Sequence, residues 1–234
     1  VATGPFIVAI DGPAGAGKST VSKALSARLG WALVDTGAIY RCVALAATRQ
    51  GVRFDDEVAL AHLLPTLEIR FRLEGGENHV ILHGWSGDED VSAAIRTPEI
   101  SKAASAVSAH PAVRDGLLEL QRRLARAATG GAILEGRDIG TVVFPEAQAK
   151  FFLTATSAQR AERRYKELLA RGQTAELSQV LAEQNQRDRD DSMREVAPLR
   201  AAPDAVILDS TDLGLDAVVD RMAQEIQKRL QASP

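Results

Sequence analysis

Gly12-Pro13-Ala14-Gly15-Ala16-Gly17-Lys18-Ser19 carries the spacing G-x-x-x-x-G-K-S. That spacing wraps backbone N–H groups around a polyphosphate, sends a lysine to its β- and γ-phosphates and places a hydroxyl on Mg²⁺. Gly12, Pro13, Ala14, Gly15, Ala16, Gly17, Lys18, Ser19 and Thr20 are therefore expected to hold a nucleoside triphosphate, with Lys18 on its β- and γ-phosphates and Ser19 on the metal.

The loop alone implies only a bound nucleoside triphosphate. The arginines are more informative. Arg41 and Arg137 follow apolar runs, and Arg187-Asp188-Arg189-Asp190-Asp191-Ser192-Met193-Arg194 is dense in charge. Arg160, Arg163 and Arg164 share one predicted helix with Lys166. Arginine grips phosphate bidentately. Phosphoryl transfer needs converging cations, because positioning and charge stabilisation do nearly all the work. An acceptor that is a nucleoside monophosphate adds about −1.5 to −2 of charge. Its phosphate oxygen is already ionised and needs no general base. His62, His79, His83 and His110 all lie away from the motifs, which fits. A hydroxyl acceptor would call for a base, and Asp138 or Asp35 would serve. The competing readings are a solvated face at 160–166 and a helix laced with surface ion pairs at 187–194. Arg137 is harder to explain that way, since an idle charge beside a buried strand is costly.

These residues need elements to position them. Phe6-Ile7-Val8-Ala9-Ile10 reads as a buried strand leading into the loop. Val21, Leu25 and Leu29 then mark a helix. Trp31-Ala32-Leu33-Val34 reads as a second strand, ending at Asp35-Thr36-Gly37, which caps a helix running to about Gly51. Asp55 and Asp56 open a short helix that Pro65 bounds. Ile69, Phe71 and Leu73 alternate with Arg70 and Arg72, the period of a half-buried strand. Gly75-Gly76 is expected to turn the chain into a returning strand at 79–83. Helices are expected at 98–110, with Pro111 opening another to 128. Apolar strands at 132–134, 150–153 and 205–208 alternate with helices at 157–171, 175–191 and 215–226. Five short apolar strands among helices predict a parallel sheet with helices on both faces and ligands at the C-terminal strand ends. The motifs at 12–19, 35–41 and 135–138 all fall there.

The chain resembles the bacterial cytidylate kinases over nearly its whole length. The resemblance rests on Ile10-Asp11 with the loop through Thr20, on Asp35-Thr36-Gly37-Ala38-Ile39-Tyr40-Arg41, and on Ile95-Arg96-Thr97 and Val113-Arg114. It rests also on Glu135-Gly136-Arg137-Asp138-Ile139-Gly140-Thr141-Val142-Val143-Phe144-Pro145, on Arg187-Asp188, Asp191-Ser192 and Arg194, and on Ala197-Pro198-Leu199. It implies a P-loop kinase fold: one α/β domain over 1–234, with a monophosphate-binding insert at 66–97 holding a short antiparallel sheet, and a short helical lid at 158–174. It implies transfer from ATP, with Mg²⁺, to CMP or dCMP. Arg41 and Arg137 would hold the acceptor phosphate, and Ser105, Arg114, Asp138 and Arg194 would read the cytosine. Arg187 and Asp191 would reach the ribose, with Thr36 near the nucleotide. Arg160, Arg163 and Arg164 would belong to the lid, with Arg160 and Arg164 joining Lys18 and Arg137 in the transfer. A carboxylate at Asp138 can accept from the cytosine amino group but would face a carbonyl in uracil. Glu135 has no assigned role; it either supports Mg²⁺ or is a satisfied strand-end carboxylate. Residues 84–90 form a longer turn than the family pattern.

Composition bounds the rest. The chain has 234 residues, 45% hydrophobic and 25% charged, with a net charge of −3. That balance and the few aromatic residues argue against a nucleic-acid partner. A regulatory GTPase would need N-K-x-D, yet neither Asn78 nor Asn185 precedes a lysine. A P-loop kinase acting on UMP, TMP or a hydroxylated metabolite would share the donor loop and differ only in acceptor contacts. Cys42 is the single cysteine, so no internal disulfide forms. The N-terminal apolar run is too short for a signal peptide or a membrane span. A soluble, cytoplasmic monomer is expected.

Overall fold

The computed structural model describes residues 4–74, 77–84, 87–170 and 172–232. The chain opens with β1 (Phe6–Asp11), α1 (Lys18–Leu29), β2 (Ala32–Asp35), α2 (Thr36–Gln50) and α3 (Glu57–Leu63). Then come β3 (Glu68–Glu74), β4 (Glu77–Gly84), β5 (Gly87–Asp90), α4 (Pro98–Val107) and α5 (Pro111–Arg126). It closes with β6 (Gly131–Gly136), β7 (Ala149–Thr154), α6 (Ser157–Ala170), α7 (Leu177–Met193), β8 (Val206–Asp209) and α8 (Leu215–Ala232). A π-helical turn, Ile139–Val143, lies between β6 and β7.

Five strands form one sheet in the order β2-β6-β1-β7-β8, and every pairing is parallel. The two-residue period of a strand explains its two packed faces. Phe6, Val8 and Ile10 of β1 pack with Val21 and Leu25 of α1 and with Val219 and Met222 of α8. Ile7 and Ala9 face the other way, toward Ile39 and Val43 of α2 and Val113 and Leu117 of α5. Helices therefore cover both faces of a parallel sheet, as the strand pattern predicts, and this is the α/β P-loop kinase fold that the resemblance implies. β1 is central and wholly buried, so the loop after it is anchored on a well-packed element.

A separate antiparallel sheet holds β3, β4 and β5 in that order. Ile69, Val80 and Leu82 turn toward the main core, while Arg70 pairs with Glu68 and Asp88 on the outer side. The expected long turn at 84–90 is corrected here: Gly87–Asp90 is a strand, with Asp90 opposite Ile81 and Asp88 opposite His83. The expected turn at Gly75-Gly76, and Trp85-Ser86, lie outside the described residues. Other boundaries move by a residue or two: β2 starts at Ala32, and α7 runs from Leu177 to Met193. Trp31 instead packs its ring against Phe6, 5.5 Å between centroids.

Candidate active site

The glycine loop closes the gap between β1 and α1. A Cβ on Gly12 would lie 2.0 Å from the Leu153 carbonyl oxygen, so only glycine lets β1 and β7 stay paired there. Gly17 takes a left-handed conformation (φ 91°) at the start of α1, and no side chain caps that helix. Its first N–H groups and its dipole are thus available to an anion. Lys18 is buried and donates from Nζ to the carbonyls of Gly12 and Pro13, both at 2.8 Å. Burial, and then the positive charges of Arg137 and Arg187, push its pKa well below the usual lysine range. Ser19 Oγ donates to Glu135 Oε2 at 2.8 Å. Thr20 is exposed on the first turn of α1.

The ends of β2 and β6 stand beside the loop, with Asp35 opposite Glu135. Asp35 caps α2 by accepting from the Ala38 N–H at 2.9 Å, and its other oxygen accepts from Arg41 Nη2 at 2.8 Å. Thr36 Oγ1 donates to the Glu135 carbonyl at 2.7 Å. Burial, and then the neighbouring Asp35 charge, push the Glu135 carboxyl up to about 7. Ser19, Glu135 and Asp35 offer oxygen donors only. Among the described residues no group of three or more His, Cys, Asp or Glu forms a dedicated metal cage. That donor set suits Mg²⁺, which keeps waters and takes substrate phosphates as ligands.

α7 reaches the same place. Arg137 Nε donates to Asp191 Oδ2 at 2.8 Å and Arg194 Nη2 to Asp191 Oδ1 at 2.6 Å. Burial acts to raise the Asp191 pKa, but Arg137 and Arg194 outweigh it and hold the carboxyl low. Arg187 is pushed down to about 10 by burial and by the like charges of Arg137, Arg41 and Arg194. Among the described residues, the buried Nε atoms of Arg41, Arg187 and Arg194 have no hydrogen-bond partner. Lys18, Arg41, Arg137, Arg187 and Arg194 thus form one crowded group of cations.

Behind them Arg114 Nη2 donates to Asp138 Oδ2 at 2.5 Å, both side chains being less than a tenth exposed. Arg114 also lies over the Tyr40 ring, 5.5 Å from its centroid, and donates to the Ser108 carbonyl at 3.1 Å. Ser105 lies on α4, and its hydroxyl donates to the Ser101 carbonyl at 3.4 Å, within its own helix.

The arginines of α6 divide. Arg160 is buried and donates to the Ala155 and Ala14 carbonyls at 3.0 and 2.8 Å, and pairs with Asp188 at 2.6 Å. It joins the glycine loop, α6 and α7. Arg163 donates to Ser210 at the end of β8, 2.6 Å from the carbonyl. Arg164 pairs with Glu167 on its own helix at 2.9 Å.

Sequence reasoning left Asp11 without a role. It is buried, accepts from the N–H groups of Ile139 and Gly140 at 2.8 Å each, and burial pushes it up to about 6. The signal was present: a carboxylate ending a five-residue apolar strand must find partners. Asp188, noted only within its charged run, was likewise given no role, and Ser210 was missed.

The sheet order, the loop at the end of its central strand and the cation group facing it define a P-loop kinase. Residues 8–228 match the family model described as cytidylate kinase. A cytidylate kinase of Syntrophotalea carbinolica is 53% identical over 226 residues, spanning 97% of this chain and 94% of that protein. One of Geobacter sulfurreducens is 54% identical over 229 residues, spanning 98% and 96%. The chain belongs to the cytidylate kinase family.

Proposed function

We propose that the chain transfers the γ-phosphoryl group of ATP to CMP or dCMP, giving ADP and CDP or dCDP. The observation that carries this is the cation group: among the described residues three guanidinium Nε atoms are buried without partners, beside a lysine whose pKa burial, Arg137 and Arg187 lower. Buried donors without acceptors are costly, and two phosphate-bearing substrates would satisfy them.

The loop amides of residues 12–20 and Lys18 hold the triphosphate. Ser19, backed by Glu135, holds Mg²⁺, whose charge offsets that of the phosphates. Arg41 and Arg137 hold the acceptor phosphate and keep its oxygen in line with the donor. That oxygen is ionised, so no side chain need remove a proton. Arg187 and Asp191 reach the ribose, with Thr36 beside the nucleotide. Asp138 accepts from the cytosine amino group, with Arg114, Ser105 and Arg194 completing the base site. Residues 66–97 act as the monophosphate-binding insert. Residues 158–174 act as a lid that brings Arg160 and Arg164 over ATP. The enzyme works as a monomer in the cytoplasm. Among the described residues no helix is long and apolar enough to cross a membrane.

The test is ADP formation with ATP and Mg²⁺, offering CMP, dCMP, UMP, AMP, GMP and TMP at equal concentration. Rates confined largely to CMP and dCMP are expected. A good rate with another monophosphate would keep the kinase and discard the cytosine site. No rate with any of them would leave the acceptor unidentified.

A further inference from the structure

The π-helical turn Ile139–Val143 begins at Asp138, whose carbonyl accepts from the N–H groups of Val142 and Val143 at 2.8 and 3.2 Å. The first N–H groups of such a turn have no partner within it. Aspartate at the preceding position ordinarily folds its side chain back to accept from them. Asp138 does not: its carboxylate makes no capping bond and pairs with Arg114 instead. The cap comes from 128 residues away, where Asp11 accepts from Ile139 N–H with Oδ1 and from Gly140 N–H, 129 residues on, with Oδ2. The fit at Gly140 is close: a Cβ there would lie 3.2 Å from Lys150 Cδ and in contact with Asp11 Oδ2 at 3.4 Å.

We infer that Asp11 is a positioning residue for acceptor selection: by capping the turn in place of Asp138, it leaves the Asp138 carboxylate free to face Arg114 and the base. The inference rests on the proposed cytosine-reading role of Asp138. Asp11 ends the strand that leads into the glycine loop, so the same residue fixes the base-reading turn relative to the phosphate donor. Asparagine in its place can accept with one atom only and turns an N–H₂ toward a backbone N–H. Asp138 then becomes the better cap and leaves the base site.

The test compares kcat/KM for CMP and UMP in the unmutated enzyme, Asp11→Asn, Gly140→Ala, Asp138→Asn and the double variant Asp11→Asn with Asp138→Asn. Asp11→Asn is expected to lower the CMP-over-UMP ratio roughly ten-fold, the size of a misdirected hydrogen-bonding group, while KM for ATP stays within about two-fold. Gly140→Ala, whose Cβ would press on Lys150 Cδ and rest against Asp11 Oδ2, should lower the ratio in the same direction. In the Asp138→Asn background, Asp11→Asn should change the ratio no further, because both act through one group. An unchanged ratio in the two turn variants overturns the inference. So does an equal loss for ATP and CMP, or a double variant whose losses multiply. A lack of CMP preference in the unmutated enzyme would remove the reading beneath it, and that failure is visible before any variant is made. Should Asp11→Asn not fold, Gly140→Ala decides alone.

Discussion

Lys18 is buried among arginines and bonded to two carbonyls of its own loop, so its charge is poised for a phosphate rather than for the fold. Lys18→Ala should lower kcat at least about 100-fold, as loss of a donor at a developing charge does. Its melting temperature should stay close to that of the parent, because a buried, repelled cation adds little to stability. Turnover near the parent rate would remove Lys18 from the chemistry. Asp138 calls for a gentler change. Alanine would leave Arg114 buried and unpaired, at a cost of about 3–5 kcal/mol, whereas Asp138→Asn keeps an oxygen for it. That variant should narrow the CMP-over-UMP preference; an unchanged ratio would place base reading elsewhere. Asp11 makes a pH prediction. Its carboxyl titrates near 6 when folded, against 3.8 in an open chain. The folded state holds the proton more tightly, so this contribution is fully present below about pH 4 and is lost as pH rises through 6. Lys18 and Asp138 are the charged groups facing it. The stability of the parent relative to Asp11→Asn should therefore grow on acidification from pH 7 to 4, by up to roughly 3 kcal/mol. A difference flat across that range in thermal melts would mean the carboxyl titrates normally.

At the scale of elements, α7 is tied into the site through Asp191, which accepts from Arg137 and from Arg194 on its two oxygens. Asp191→Ala frees both guanidiniums and releases the end of α7. KM for CMP should rise at least about ten-fold while ATP affinity changes little. Equal losses for both would make the tie purely structural. This junction also shows where sequence reading stops. The five core strands were legible as apolar runs, and the loop as a spacing, because both are local. β5 was not: Gly87-Asp88-Glu89-Asp90 has no apolar residue. It forms because its backbone completes β4 and because Glu89 meets both Arg49 nitrogens at 2.7 and 2.8 Å. The π-helical turn was illegible for the same reason, since its cap lies on β1. At the site, arginine and aspartate types pointed to phosphate handling. The partner of each, such as Asp191 for Arg137 across 54 residues, is set by the fold alone.

Over the whole molecule the charge is −3, yet five cations crowd one end of the sheet. Within this site Asp35 pairs with Arg41, and Asp191 with Arg137 and Arg194, while burial and then like charge lower the pKa values of Arg187 and Lys18. The two halves of the site come from elements far apart in the chain, and bound phosphates would join them. Filling the site should therefore stabilise the entire fold rather than one loop. Any ligand that binds only the folded state adds about 2.7 kcal/mol at one hundred times its Kd. For a chain of this size that corresponds to roughly 5 °C or more in melting temperature. CMP alone and ATP alone should each raise it, and the pair should raise it further. Sulfate should raise it modestly over chloride at matched ionic strength, since it can occupy the arginine site without a base. Arg187→Met should abolish the sulfate effect and raise the melting temperature of the free enzyme, because one repelled cation is gone. A free enzyme destabilised by that change would mean Arg187 is held by the fold, and the cation group would no longer argue for two phosphates meeting there.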